Sequence, residues 1–401
     1  MRYLENARLN RWLDRLEVWS LNHRKLIYTV TVAIVAVSVI GIFKLKSVGY
    51  IVDDLPKTDK IYTDLKFFEN NFKGVMPLEI LVDTKKKYGV TRNLGNLLKM
   101  DSLSSYITSM PALARPLSIT EGLKFAKQAF FEGDSSNYSM PSEFDLPALA
   151  QYLSFKKDSN AGVATNSFSK LVSTFMDSAR QEARISINMA DVGSARLPHI
   201  LDSIQQRVDA LFPKDKYEVK LTGTSITFLE GSAFIINGLK ESIAWAFLLI
   251  ALCMLYLFRS ARILLCSLIP NVIPLVITAG VMGWVGVPLK PSTVLVFSVA
   301  LGIAIDITIR FLVNYKQELP HQEFDRKKTV IETIHSTGIS IIYTSMVLIA
   351  GFIIFSFSGF GGTQALGWLT SLTLITATLT NLVLLPALLI GLEKSKKKKG
   401  Q

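Results

Sequence analysis

Two ionisable side chains lie one helical turn apart inside an apolar stretch of the sequence. The stretch covers residues 298–315, SVALGIAIDITIRFLVNY, with Asp306 near its middle and Arg310 four residues later. An ionisable group at bilayer depth costs about 2.5–3.5 kcal/mol, so it is retained where it faces a protein interior or a water path. A carboxylate that can be neutral or charged suits a proton carrier. The pattern favours a proton relay at Asp306 and leaves open a structural ion pair with Arg310.

Other polar groups in the apolar runs extend this interpretation. Asn271 lies between Pro270 and Pro274 in the motif PNVIP. Prolines free backbone carbonyls within a span, and such groups are tolerated only against protein or water. Thr344 and Ser345 lie in a later run, where hydroxyls either pass protons or simply pack. The predicted relay set is therefore Asp306, Arg310, Asn271, Thr344 and Ser345, and an ordinary proline kink with packed hydroxyls is the alternative.

The elements that must position these groups are six predicted membrane spans. A run of about 20 apolar residues is enough for one span. The runs cover residues 26–43, 242–258, 263–285, 292–315, 335–357 and 365–392. A cleaved signal peptide competes for the first run, but no small-residue cleavage site follows it, which favours an uncleaved anchor.

The segment before the first span, residues 1–25, is basic and amphipathic. Its apolar residues recur at helical spacing, which predicts a short helix along the membrane surface. These residues are Leu9, Trp12, Leu13, Leu16 and Trp19.

The distribution of basic residues predicts the orientation of the chain. The net charge is +12, 49% of the residues are hydrophobic, and the mean hydropathy is +0.34. With six spans, basic residues in the first segment, at Arg259 and Arg262, at residues 326–328 and at residues 396–399 share one side. The positive-inside rule places that side, and both termini, in the cytoplasm. Basic residues beside apolar runs fit membrane orientation better than nucleic-acid binding, so we expect no nucleic-acid partner.

The region between the first and second spans, residues 44–240, is predicted to be a separate water-facing domain. Helical patterns at 59–72, 91–110 (capped by Thr91), 166–180 and 194–212 alternate with strand patterns at 77–83, 184–190 and 217–222. This order predicts an α+β sandwich built from βαβ-like units. We expect Phe67, Phe68 and Phe72 to lie in its core. The domains are then residues 1–25, 26–43, 44–240, 241–392 and a basic tail at 393–401.

Other kinds of chemistry receive no support. Cys253 and Cys266 fall in or beside membrane runs, so they imply no disulfide framework. His321 and His335 are predicted to be solvated residues of one polar loop, and the histidines lack metal-ligand spacing. There is no GxxxxGK[ST] motif for ATP and no set of nucleophile, base and orienter. We expect no enzyme activity, no cofactor and no metal.

Three motifs carry a resemblance to a known family. They are TGTSITFLEG at 222–231, PNVIP at 270–274 and GIAID at 302–306. With one span, a large outer domain and five further spans, they resemble one half-unit of the resistance-nodulation-division (RND) superfamily, in its MMPL-like and hopanoid-exporter-like branch. The resemblance implies an α-helical membrane protein with six transmembrane helices and a porter-type α+β extracytoplasmic domain. It also implies proton-driven export of a hydrophobic or lipid-like molecule from the bacterial inner membrane, with Asp306 carrying protons.

The sequence departs from that family in two ways. Ile307 stands where many relatives have an acidic or aromatic residue, and Arg310 where many have histidine. Complete relatives usually contain two half-units. Both departures suit a half that pairs with a second copy or a second RND half, or a fragment of a longer protein. Besides membrane lipids, the partner is then a lipid-like substrate, with Phe228 and Phe234 as contact candidates. The alternative is a non-transporting subunit: a Sec-accessory-like protein, a scaffold or a sensor.

Overall fold

The computed structural model describes residues 7–50, 52–145 and 173–391. The chain divides into two compact units. We call residues 1–49, 53–56 and 232–401 the helical unit, and residues 50–52 and 57–231 the sheet unit. Within the described residues the protein is mostly helical, and six helices are long and apolar enough to cross a membrane. The prediction of six spans is confirmed at that level.

The helices are α1 (Ala7–Asn22), α2 (Arg24–Phe43), α3 (Lys60–Asn71), α4 (Gly89–Arg92), α5 (Leu94–Thr108), α6 (Ile119–Phe130), α7 (Gly193–Leu211), α8 (Thr224–Phe258), α9 (Ala261–Val285), α10 (Pro291–His321), α11 (Arg326–Ile353), α12 (Gly361–Leu379) and α13 (Leu385–Gly391). A π turn, Thr380–Leu384, joins α12 to α13. The strands are β1 (Met76–Asp83), β2 (Glu182–Met189) and β3 (Glu218–Thr222). Span one is α2, span two the apolar part of α8, span three α9, span four α10, span five α11, and span six α12 to α13.

The sheet unit is organised around the central strand β1. The strand order is β2-β1-β3, and both neighbours pair with β1 in antiparallel register. Alternate residues of β1 are buried, because successive side chains of a strand point to opposite faces. Leu78, Ile80 and Val82 thus share a core with apolar residues of α5 and α7. β2 and β3 run parallel to each other and are connected through α7, as expected for a βαβ unit. The two strands are not neighbours, however, because β1 lies between them.

Three predictions for this unit are corrected. Asn93, not Thr91, caps α5: its side chain accepts a hydrogen bond from Gly95 N at 2.9 Å, and its extended backbone separates α4 from α5. Residues 166–172 of the predicted helix at 166–180 lie outside the described residues, and residues 174–180 form turns and a bridge.

The third correction concerns the aromatic residues of α3. Phe67, Phe68 and Phe72 are 59%, 51% and 59% exposed, and no residue of α3 is buried. The prediction that they lie in the core was wrong. Phe68 and Phe72 are four residues apart and lie on the same side of the chain, with ring centroids 5.3 Å apart, but no described residue buries them.

In the helical unit, spans one and three approach each other through glycines. A Cβ placed on Gly283 would lie 1.8 Å from the carbonyl oxygen of Gly41, and one on Gly280 would lie 2.5 Å from Ser38 Cα. Small residues let helix backbones come this close, which is how helices associate where lipid removes the hydrophobic driving force. Trp284 Nε1 adds a hydrogen bond to Val37 O at 3.1 Å.

The predicted amphipathic helix at the N-terminus is present as α1. Leu13 is fully buried in the core formed mainly by spans two to six. Gly338 of span five makes room for it, since a Cβ on Gly338 would lie 2.9 Å from Leu13 Cδ2. Leu13 and Leu16 of α1 therefore pack on the bundle, whereas Trp19 is 56% exposed.

Candidate functional site in the helical bundle

Asp306 lies at the midpoint of α10, which has 31 residues. Its Oδ2 is 2.7 Å from Nη2 of Arg310, and the two side chains are 54% and 46% exposed. The geometry bears out the i,i+4 pairing. Of the two predicted surroundings, a protein interior or a water path, the exposure of Asp306 excludes the closed interior of the described bundle.

Asp306 belongs to a continuous exposed stripe along span four. Its members recur three or four residues apart, so they share one helix face. They are Leu295, Val299, Gly302, Asp306 and Arg310. A Cβ on Gly302 would meet no atom of the described residues within 4 Å. We call this stripe the open face of span four.

The opposite side of the same helix carries a buried polar cluster. Thr308 Oγ1 lies 2.9 Å from Asn271 Oδ1 of span three and 2.6 Å from Asn381 Oδ1 of span six. All three residues are almost completely buried. We call these three side-chain oxygens the oxygen trio. Because a buried polar group without a partner is destabilising, the trio fixes the relative register of three spans.

Helix irregularities on two of these spans flank the trio. Pro274 has no N–H to donate to the carbonyl of Pro270, four residues earlier. The hydroxyl of Thr380 bonds that carbonyl instead, at 3.0 Å. Thr380 and Asn381 open the π turn of span six, and such turns occur frequently at functional sites. The carbonyl freed by PNVIP thus faces protein, one of the two surroundings that the sequence allowed.

The predicted relay residues do not form one connected group. Ser345 is buried and accepts a hydrogen bond from Thr378 of span six at 2.8 Å. Thr344 bonds only carbonyls of its own helix, Ser340 O at 2.9 Å and Ile341 O at 3.1 Å. Among the hydrogen bonds of the described residues, none joins Asp306 to Asn271, Thr344 or Ser345. Any relay through all of them requires another route.

Sequence reasoning missed Thr308, Thr380 and Asn381. Asn381 carried the clearest signal, because it is an amide in the apolar run 365–392. The two threonines carried little, since hydroxyls commonly bond to their own helix in a span. The convergence of three distant segments was not visible in the sequence.

The proposed substrate-contact residues are partly exposed. Phe234 is 79% exposed, and Phe228 is half-buried. They lie six residues apart in α8, a spacing that does not place two side chains on one helical face. The structure therefore leaves them as separate candidates.

His335 is not in a polar loop, as predicted, but within α11. Its Nε2 lies 2.9 Å from Glu17 Oε2 and 3.9 Å from Asp14 Oδ1, both on α1. The three groups are far apart in sequence, so ligand spacing could not reveal them. They are half-exposed or exposed, and we interpret them as a polar contact between α1 and span five.

A second set of charges lies in the loops of the helical unit. Lys290 Nζ is 3.3 Å from Asp53 Oδ1 and also contacts Asp54 Oδ1. Asp54 O accepts a hydrogen bond from Gly361 N at 2.7 Å. This contact ties the segment after span one to the starts of spans four and six. The sequence analysis did not find it.

An apolar cavity of about 540 Å³ lies in the helical unit. Its walls come from α1 and from spans one, three and six. The lining includes Arg15, Trp19, Ile27, Ile277 and Thr380. Thr380 thus borders both this cavity and the region of the oxygen trio. We call this cavity the apolar groove.

The fold and this site define a six-span membrane protein with a small sheet-containing unit. Residues 148–400 match the model of the MMPL family. Since this is more than half of the sequence, the chain belongs to the MMPL family, within the RND superfamily that its motifs resemble.

Two curated relatives are similar to the chain. The hopanoid transporter HpnN of Burkholderia multivorans is 27% identical over 336 residues, which are 80% of this chain and 36% of that protein. A membrane protein of Methanocaldococcus jannaschii is 23% identical over 195 residues, 49% of this chain and 50% of that protein. The chain thus spans about a third to a half of the length of these relatives.

Proposed function

We propose that the chain is a half-size RND-type transporter subunit of a bacterial inner membrane, exporting a hydrophobic or lipid-like molecule at the expense of the proton gradient. Both termini lie in the cytoplasm, and the sheet unit lies outside. The observation that carries this proposal is the Asp306–Arg310 ion pair on the open face of span four.

An ion pair in the middle of a span is unfavourable against lipid. The open face carries such a pair beside Gly302, whose missing side chain permits close helix approach. A second six-span unit, from another copy or a different half, covers this face. The partial coverage of the relatives is in keeping with such pairing.

Within that interface, Asp306 is the proton-carrying group. In one state its carboxylate accepts hydrogen bonds from Arg310. In the other, a proton on Asp306 neutralises it and releases the guanidinium. Two alternative partners for one carboxylate give a two-state element that a proton gradient biases.

The apolar groove supports a lipid-like substrate. Ligand sites are concave and mainly apolar, with a few polar groups that fix orientation. Here Arg15 is the cationic group of the lining, suited to an anionic or polar lipid head, while the spans supply apolar walls. The name of the Burkholderia relative, a hopanoid transporter, is consistent with this class of substrate.

The test is transport in proteoliposomes that contain the purified chain. A pH gradient is imposed, and both internal pH and the movement of a fluorescent lipid analogue are followed. We expect Asp306→Asn to abolish both the change in internal pH and the movement of the lipid analogue, and Asp306→Glu to retain part of both. Thr29→Val should affect neither, because Thr29 is exposed and its hydroxyl bonds Lys25 of its own helix. Full activity in correctly inserted Asp306→Asn protein would contradict the proposal. Lost protein secretion without lipid movement in a deletion strain would favour the non-transporting alternative.

A further inference from the structure

The oxygen trio contains more hydrogen-bond acceptors than hydrogens. The hydroxyl of Thr308 carries one hydrogen, yet its oxygen is within hydrogen-bond distance of two amide oxygens, on Asn271 and Asn381. At most one of them can accept that hydrogen. Among the described residues, at least one almost fully buried amide oxygen is therefore left without a hydrogen donor, which is destabilising.

The remaining hydrogens of the trio have partners on their own helices. Asn271 Nδ2 donates to Ser267 O at 2.9 Å, and Asn381 Nδ2 donates to Ala377 O at 2.9 Å. Thr308 Oγ1 also lies 3.2 Å from Ala304 O, which can take its hydrogen. Rotating either amide would only place its oxygen against a backbone carbonyl. Three oxygens from three spans can thus converge with all their hydrogens directed away.

We propose that the oxygen trio binds a monovalent cation, Na⁺. Neutral carbonyl and hydroxyl oxygens are the ligands of hard cations. Among the described residues no carboxylate is bonded to the trio, which disfavours a divalent ion. Sodium sites in transporters lie where the backbone of membrane helices is irregular, and here Pro274 removes a backbone hydrogen bond from span three and a π turn lies within span six.

This site is separate from the proposed proton relay. Asp306 and Thr308 are two residues apart, so their side chains point to nearly opposite sides of α10. None of the trio's side chains titrates near neutral pH. The trio therefore needs no change in its own protonation to bind Na⁺.

The test measures thermal unfolding and binding of radioactive sodium with the purified full chain in nanodiscs, at constant ionic strength. In the wild type, Na⁺ in place of choline raises Tm by several degrees in a saturable manner, and K⁺ raises it less. Thr308→Ser keeps the response, and Thr308→Val abolishes both the shift and the binding. Thr278→Val is the matched control, because Thr278 and Thr373 form an equally buried pair whose hydroxyls can satisfy each other.

Two outcomes overturn the proposal. If the wild type shows no Na⁺-specific shift and binds no sodium, the trio holds water or nothing. If Thr308→Val retains the response, or Thr278→Val also loses it, the ion is not held by the trio. The wild-type comparison decides the matter even if Thr308→Val does not fold. Neither result bears on proton-driven transport, which the Asp306→Asn experiment tests separately.

Discussion

Span four presents two polar faces that behave differently. On one, Thr308 is fully buried and contacts two neighbouring spans. On the other, Asp306 is half-exposed and, within the part of the chain that the structure describes, its ion pair is with Arg310 of its own helix. The polar side chain on the inner face contacts other residues of this chain. The open face has a costlier group and fewer contacts, which is why we place its function in an assembly with a second unit.

Replacing a glycine by leucine should be strongly destabilising at a closed helix face and tolerated at an open one. The loss of stability at the closed face is the largest effect that we expect. Gly283→Leu forces apart spans one and three, because its Cβ would already overlap Gly41 O. We expect a loss of more than about 4 kcal/mol in stability, or no folded protein. Gly302→Leu should leave Tm unchanged and weaken association with a second unit. Thermal unfolding and size-exclusion chromatography separate the two effects. A folded Gly283→Leu protein would show that this glycine contact is dispensable.

Removing one member of the oxygen trio should have a moderate effect. In the absence of a bound ion, Asn381→Leu is expected to reduce the free energy of unfolding by about 1–3 kcal/mol, because the buried hydrogen bond to Ala377 O and the contact with Thr308 are lost. Denaturant unfolding in detergent measures this change. An unchanged midpoint would mean that the inner face does not hold the three spans together.

The two ion pairs of the helical unit should differ in strength. Lys290 is only 11% exposed and contacts two carboxylates, so Lys290→Met should cost about 1–2 kcal/mol. Arg310→Met, on the open face of the isolated chain, should cost less than about 0.5 kcal/mol in detergent. Unfolding of both variants under the same conditions checks the order. A reversed order would indicate that the open face is already covered within the chain.

The smallest effect is expected at Thr344. Its hydroxyl bonds only carbonyls of its own helix, so Thr344→Val should change stability by less than about 0.5 kcal/mol and leave transport intact. Ser345→Ala, by contrast, removes the acceptor for Thr378. Transport and unfolding assays on both variants test whether Thr344 belongs to the relay. If Thr344→Val loses transport while Ser345→Ala retains it, Thr344 belongs to the relay after all.

The spans and their polar residues could be predicted from sequence, because apolar length and the rarity of charges in membranes are local properties. Which face of span four turns inward could not. The sequence places both Asp306 and Thr308 in one apolar run, and the usual cost of a charge in lipid predicts that Asp306 faces inward. That reasoning treats a single chain as complete. It fails where a face is left for another unit.

Contacts between residues that are distant in the chain also could not be predicted from the sequence. Asn271 was selected because PNVIP disturbs a helix, and the structure brings it to Thr308 of span four, which also contacts Asn381 of span six. The strands of the sheet unit were found from their alternation, whereas their order was not, since β1 pairs with strands more than 90 residues away. The aromatic residues Phe67, Phe68 and Phe72 show a related limit. Apolar residues on a helix predict a contact surface, but they do not show which molecule covers it.

Photocrosslinking on the open face tests the central claim most directly. A photoreactive amino acid at Val299, in native membranes, should give an adduct with a second copy of the chain or with another six-span protein, identified by mass spectrometry. The same probe at Leu252, exposed on span two, serves as the lipid-facing control and should give mainly lipid adducts. Lipid adducts alone at Val299 would contradict the account, because the open face would then be a lipid-facing surface and the Asp306–Arg310 pair would have no second unit to cover it.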